Sequence, residues 1–294
     1  MTDLLKVEGL VKSYGEFTLD HLDLTVPEGC VTGFVGSNGA GKTTAIKSIL
    51  GVVLPDAGTI ELFGERTDSG EAAIARAKER IGVVFDTCPF LSESRVSDVA
   101  SIGRFAWKTW DRLSFETHLR TFGLDPKKRV KDLSRGMGMK LQLAFALAHR
   151  PDLLILDEAT AGLDPMARDE LLDRLLVFVA MPGRAILMSS HITSDLERIA
   201  DRVLCIDEGR IVFDLAKDEI TDEMGIARCR VAEFERICAS GIIPEGQLRY
   251  RKNDYGIDLL VPDRFVFAEN FPNVPCDRMS IDDYLSLTLK GGVR

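Results

Sequence analysis

No uninterrupted apolar run in the sequence approaches the ~18–20 residues needed to cross a bilayer as a helix, so no span is expected in the chain itself. The opening residues, MTDLLKVEGLVKSYG, lack the basic-then-apolar order of a secretory signal. The expectation is therefore an intracellular protein, or one held at a membrane by something else. The six cysteines (Cys30, Cys88, Cys205, Cys229, Cys238 and Cys276) are scattered and contain no CxxC pair, which reads as reduced thiols rather than disulfides. Positive charge is in deficit, with 37 Lys and Arg against 46 Asp and Glu, a net charge of −9. That argues against a protein whose main task is to coat nucleic acid, because phosphate backbones are held by basic surfaces. Internal repeats, low-complexity tracts and long linkers are also missing. What remains is a chain of 294 residues, 45% hydrophobic and 28% charged, a globular balance suited to two domains.

The pattern along the chain is α/β. Leu4 to Val26 alternates apolar and polar residues around Tyr14-Gly15, which predicts short antiparallel strands. Buried strands are expected at Val31–Val35, Gly58–Phe63, Ile81–Phe85, Leu153–Leu156, Ala185–Ser189 and Val203–Ile206. Between Cys88 and Leu133 the pattern is helical, with Ser94–Trp110 and Phe115–Phe122 as expected helices. Further helices are expected to open near Lys42, over Met137–His149 and over Ala167–Val179, the last with Leu171, Leu172, Leu175, Leu176 and Val179 as its apolar side. Strands alternating with helices indicate a mostly parallel sheet with helices packed around it. After about Ile220 the texture changes to short mixed segments punctuated by Pro244, Pro262, Pro272 and Pro275, ending in a helix near Ile281–Leu289. A tail of that length has a marginal core and is expected to lean on the main domain or on a second copy of it.

Two segments carry chemistry. Gly36-Ser37-Asn38-Gly39-Ala40-Gly41-Lys42-Thr43-Thr44 fits GxxxxGK[ST] and stands between a predicted strand and a predicted helix. Glycines let the backbone curl so that successive N–H groups face phosphate oxygens, and the helix N-terminus adds partial positive charge. Lys42 can reach the β and γ phosphates of a nucleoside triphosphate, and the Thr43 hydroxyl can hold Mg²⁺. The second segment, Leu153–Leu156 followed by Asp157-Glu158, ends an apolar strand with two acids, where open α/β sheets bind ligands. Asp157 is expected at the Mg²⁺ ion. Glu158 is expected to polarise the attacking water as general base.

With these motifs the sequence resembles the ATP-binding cassette (ABC) ATPases. Leu133-Ser134-Arg135-Gly136-Met137, between the two nucleotide motifs, is similar to the family's signature, usually LSGGQ: Ser134 and Gly136 match, Arg135 and Met137 depart. A basic third position followed by Gly-Met resembles the exporter branch that includes bacitracin- and lantibiotic-resistance transporters. Ala161-Gly162-Leu163-Asp164-Pro165 resembles the segment through which paired cassettes communicate, with Asp164 at its centre. His191, after a predicted strand, matches the switch histidine that contacts the γ-phosphate, and Tyr14 falls where the family places an aromatic ring against adenine. Asp86 stands where the family usually has a glutamine. Because a hard cation accepts a charged oxygen as well as a neutral one, a metal-contacting role is carried over to it, beside the alternative that it only links the helical region to the core. His21, His118 and His149 match nothing and are expected at the surface or in packing.

The resemblance implies a P-loop nucleotide-binding cassette over residues 1–220, with a mostly parallel sheet core, an antiparallel N-terminal β subdomain and a helical insert at about 87–150. A small α+β extension for dimer contact would occupy 221–294. It implies ATP and Mg²⁺ as cofactors, and a second cassette, identical or paired, whose Ser134, Gly136 and Met137 region closes over the nucleotide. It also implies a separate membrane-spanning permease, a cytoplasmic place on the inner face of the cell membrane, and no nucleic acid partner. Of the insert's aromatics (Phe90, Phe105, Trp107, Trp110, Phe115 and Phe122), most are expected in its own core and one or two at the permease. The expected function is ATP hydrolysis driving that permease, in the direction of export. Two alternatives stand beside it: a cassette ATPase acting on DNA or ribosomes, and a low-turnover nucleotide-gated regulator.

Overall fold

The computed structural model describes residues 2–244 and 246–293. Residues 1 and 294, the outer ends of the two expected domains, and residue 245 lie outside the described residues. Contacts divide the chain into two compact units: Met1–Asp195 with Arg202–Asp214, and Leu196–Asp201 with Leu215–Arg294.

In chain order the first part runs β1 (Asp3–Tyr14), β2 (Phe17–Pro27), β3 (Val31–Val35), α1 (Lys42–Ile49), β4 (Ala57–Leu62), β5 (Glu65–Arg66), α2 (Glu71–Lys78) and β6 (Ile81–Val84). It continues with α3 (Val99–Ala106), α4 (Arg112–Thr121), α5 (Arg135–Leu147), β7 (Leu153–Asp157), α6 (Pro165–Val179), β8 (Ala185–Ser190), α7 (Thr193–Ile199), β9 (Arg202–Asp207) and β10 (Arg210–Ala216). The N-terminal strands form a sheet in the order β2-β1-β4-β5, antiparallel at each pairing. The central sheet has the order β10-β9-β3-β8-β7-β6, with β9, β3, β8, β7 and β6 parallel. Every residue of β3, β7 and β8 is buried, as strands covered on both faces require. Leu5, Leu10 and Leu24 of the first sheet share one core with Phe34, Ile155, Leu187 and Ile206 of the second. Ala45, Ile46 and Ile49 of α1 are buried in that same core, which fixes the helix whose first turn carries Lys42 and Thr43.

Register decides where the site lies. Val35 pairs with Ser190, Asp157 with Ser189, and Val84 with Leu156, so β3, β8, β7 and β6 end level with one another. The four segments that follow them, beginning at Gly36, His191, Glu158 and Phe85, therefore leave the sheet at one edge, the carboxyl edge where such sheets bind ligands.

The helical insert departs from its expected lengths. The stretch expected to be helical from Ser94 instead opens with an isolated bridge between Arg95 and Arg129 and one tight turn at Val96–Asp98. Helix α3 stops at Ala106 rather than Trp110, because Trp107 takes extended backbone. Its indole N–H donates to the Lys78 carbonyl at 3.2 Å, and its ring stacks 4.5 Å from His149. Trp107, Trp110, Phe115 and Phe90 all surround Phe145 of α5, and Phe122 is buried, but Phe105 is 95% exposed. On α6 the buried side is Leu171, Leu172, Leu175 and Phe178, while the expected Leu176 faces out. Phe178 lies seven residues from Leu171, which returns it to the same face of a 3.6-residue helix.

The remaining elements are β11 (Gly225–Cys229), α8 (Val231–Ser240), β12 (Arg249–Asn253), β13 (Gly256–Val261), α9 (Arg264–Asn270), β14 (Cys276–Arg278), α10 (Ile281–Lys290) and β15 (Gly292–Val293). Their sheet, ordered β14-β11-β13-β12-β15, is antiparallel throughout. Its apolar core is built from Phe234, Ile237, Leu248, Ile257, Leu259 and Phe267. The smaller unit includes Leu196–Asp201, where the Glu197 carboxylate accepts the Ile281 N–H at 2.7 Å and the Asp201 carbonyl accepts that of Lys217 at 2.9 Å. Among the described residues no helix is long and apolar enough to cross a membrane.

Candidate functional site

The loop from Gly36 to Gly41 joins β3 to α1. Its crest, Ser37, Asn38 and Gly39, is exposed, whereas Gly36, Ala40, Gly41 and Lys42 are buried. Gly39 and Gly41 hold φ of +85° and +116°, a region closed to most side chains, and this turns the chain back on itself. The loop is tied internally by Ala40 N–H to the Ser37 carbonyl and externally by Gly209 N–H to the Ala40 carbonyl. A Cβ on Gly36 would lie 2.3 Å from the Ile206 carbonyl oxygen of β9, backbone that cannot yield. Gly36→Ala is accordingly expected to cost about 1–3 kcal/mol of stability, as overpacking does. A chemical-denaturation midpoint equal to that of the unsubstituted chain would contradict that close approach.

Lys42 is 6% exposed, and its ammonium is folded into the loop. It donates to the carbonyls of Gly36 at 2.7 Å and Ser37 at 3.2 Å, and lies 3.3 Å from Oε1 of Glu158. The next residue, Thr43, donates its hydroxyl to Oδ2 of Asp157 at 3.0 Å. The other oxygen of Asp157 accepts the Ser189 hydroxyl at 2.7 Å. Thus the buried carboxylate is held at both ends, by α1 and by β8. Thr44 follows on α1 and is half-buried.

Glu158 has a φ of +53°, a costly conformation for a residue other than glycine. Its N–H is held by the carbonyl and hydroxyl of Ser189, both at 3.1 Å. Oε2 accepts from Nδ1 of His191 at 2.6 Å and from the His191 backbone N–H at 3.3 Å. The carboxylate is therefore braced between the lysine of the phosphate loop on one side and the histidine after β8 on the other. A histidine that donates through Nδ1 leaves its second nitrogen free to face a ligand.

Other expected site residues lie elsewhere. Ser134 is exposed and caps α5, its hydroxyl accepting the Met137 N–H at 3.3 Å. Gly136 faces Leu163 and Ala167. Asp164 caps α6 by accepting the Ala167 N–H at 3.0 Å. Tyr14 ends its strand half-exposed, with the Lys12 ammonium 5.5 Å from its ring. The ring of Phe17, Tyr14's partner across the hairpin, lies against Gly41 of the phosphate loop and lines an open cleft of about 610 Å³ beside Ser37–Ala40. The Asp86 carboxylate accepts from the Arg135 guanidinium.

Sequence reasoning missed Ser189, Phe17 and Gln142. Ser189 had a usable signal, a polar residue near the end of an apolar strand two positions before His191. Gln142 had a similar one, as the lone amide in KLQLAFALA.

The sequence and fold match known proteins over most of the chain. The sequence profile described as ABC transporter matches residues 19–161. The chain is 35% identical to the bacitracin transport ATP-binding protein BcrA of Bacillus licheniformis, over 75% of this chain and 72% of that one. It is 38% identical to the Nod factor export ATP-binding protein I of Ralstonia nicotianae, over 79% and 72%, and 32% identical to the daunorubicin/doxorubicin resistance ATP-binding protein DrrA of Streptomyces peucetius, over 81% and 76%. Among solved structures, an ATP-binding subunit of an ABC transporter superposes with a TM-score of 0.67 at 28% identity, covering 74% of this chain and 91% of that one. The cbiO1 protein of Clostridium perfringens, part of the transporter complex cbiONQ, does so with 0.65 at 28%, covering 83% and 96%.

Proposed function

The chain belongs to the ABC transporter family as an ATP-binding subunit with ATPase activity, and from that premise we propose how its site binds and cleaves the nucleotide and what the cleavage drives. The observation that carries the reading is the convergence of Lys42, Thr43, Asp157, Glu158 and His191 on the level ends of β3, β7 and β8. The loop N–H groups and the first turn of α1 cradle the phosphates. Lys42 exchanges its carbonyl partners for the β and γ phosphates and in doing so lets go of Glu158. Glu158, still held by His191, then takes a proton from the attacking water. The Thr43 hydroxyl and the Asp157 carboxylate are hard oxygen donors 3.0 Å apart, a donor set that suits Mg²⁺. When bound there with the nucleotide, the ion would screen phosphate charge.

Ser134 is exposed at the N-terminus of α5, where unbonded N–H groups favour an anion. In our reading these groups close over the γ-phosphate held by a second cassette, identical or paired, with Asp164 at the contact. The relatives' functions, bacitracin transport, Nod factor export and drug resistance, support export as the direction. Hydrolysis would thus drive a separate membrane-spanning permease from the cytoplasmic face, with Phe105 offering the insert's exposed ring to that partner. Residues 221–294 would form an accessory unit, and its exposed Val231, Phe265 and Val266 would add to the contact between cassettes. The test is the mass of the Glu158→Gln chain by light scattering. Saturating Mg-ATP is expected to double it relative to the nucleotide-free chain. A mass that stays single, alone and with the permease present, would overturn the paired arrangement.

A further inference from the structure

Two of the three places where the sequence departs from the family pattern, Asp86 and Arg135, touch each other. The Arg135 guanidinium, where the usual signature has glycine, donates to the Asp86 carboxylate, where the usual residue is glutamine. The same guanidinium covers Gly162 on the segment leading to Asp164. A Cβ there would stand 3.0 Å from Nη1 and 3.1 Å from Cζ, and Gly162 has a φ of +69°. Two turns further along α5, Gln142 grips the residue before Asp86: the Phe85 N–H donates to its Oε1 and its Nε2 donates to the Phe85 carbonyl, each at 3.0 Å. Arg135 and Gln142 are seven apart, so both emerge from one side of the helix. Between this helix and the chain after β6 lies a cavity of about 250 Å³, lined by Thr87, Cys88, Leu133 and Met139 among others.

We propose that Asp86, Arg135 and Gly162 form a three-point clasp, in which Arg135 is a positioning residue that joins the end of β6, the signature helix and the Gly162–Asp164 segment into one body. On this reading Asp86 is committed to Arg135 and is not a metal ligand, and the two departures are one compensated change. A carboxylate at 86 calls for a cation, and an arginine at 135 supplies it with a planar fork that also lies flat on a residue lacking a side chain. The pair is half-exposed and so adds little to global stability. What it fixes is placement: the exposed Ser134 and the Asp164 segment move with the strand end beside the nucleotide site. This inference rests on the reading of the site under Proposed function only for its catalytic consequence. The clasp itself is a property of the free chain.

Two readouts separate the two. Cys88, half-buried in the cavity wall two residues after Asp86, has its thiol pushed up by burial, so its labelling by a thiol reagent is slow while the clasp is shut. The Cys88 peptide is followed by mass spectrometry in the full-length, nucleotide-free chain. Labelling is expected to quicken about tenfold in Asp86→Asn and in Arg135→Gln, and to rise no further when the two are combined. In parallel, ATP turnover is expected to drop about tenfold in each single variant, the scale of a modest misplacement. The Mg²⁺ half-saturation should stay where it was. Arg135→Lys, which keeps the charge but not the fork, should fall between and guards against a misfolded glutamine variant. Labelling unchanged in both single variants, or rising additively, would overturn the clasp. So would an Mg²⁺ requirement that rises in Asp86→Asn alone. A labelling pattern as expected in a chain that does not hydrolyse ATP would instead uphold the clasp and sink the functional reading.

Discussion

Glu158→Gln is expected to slow ATP hydrolysis by about 10²–10⁴-fold, the usual contribution of a positioned general base. Glutamine keeps the length of the side chain, and its carbonyl oxygen can still accept from Nδ1 of His191, 2.6 Å away in the native site. What it loses is the capacity to take a proton. Nucleotide affinity should hold or tighten, because the carboxylate lies 3.3 Å from the Lys42 ammonium and competes with phosphate for it. Single-turnover hydrolysis and a fluorescent-nucleotide titration read the two effects apart. Turnover within threefold of the native rate would remove Glu158 from the role of base.

Lys42→Ala should act on the opposite quantity. Its ammonium is the charged group placed among the loop carbonyls, and removing one member of a buried, hydrogen-bonded charge contact costs about 2–5 kcal/mol. At about 1.4 kcal/mol per decade, that is roughly 30-fold to several thousand-fold in the Kd for ATP. The variant also leaves Glu158 without its cation, so circular dichroism should accompany the titration to establish that the chain is folded. A folded variant that binds ATP within threefold of the native affinity would contradict the assignment of Lys42 to the phosphates.

Much of this arrangement is legible in the sequence, for a physical reason. Segments whose chemistry depends on backbone spacing, such as Gly36–Thr44 and Leu153–Glu158, keep their function in consecutive residues. Doubly buried parallel strands likewise announce themselves as unbroken apolar runs. What stays hidden depends on which distant side chains meet. Asp86 reads by position as a metal contact or as a link from the helical region to the core, and its approach to Arg135, 49 residues on, is visible only in the fold. Tyr14 and Phe17 are paired directly across one turn and so share a face, and only the fold shows that the Phe17 ring comes against Gly41 of the phosphate loop. Trp107 fits a helical pattern, yet its stacking on His149 outweighs propensity and ends α3 early. The core of the extension stays hidden because it joins strand residues far apart in the chain, such as Ala227 of β11 and Leu259 of β13.

The smaller unit takes Leu196–Asp201 from upstream of the last two strands of the central sheet. The order of synthesis is therefore not the order of completion. As the polypeptide leaves the ribosome, β9 and β10 can finish the nucleotide-binding sheet while six residues ahead of them still await partners not yet translated. A chain shortened to end at residue 214 would retain those six as an orphaned fragment of the missing piece. Any attempt to separate the two units must therefore deal with three breaks in the polypeptide rather than one.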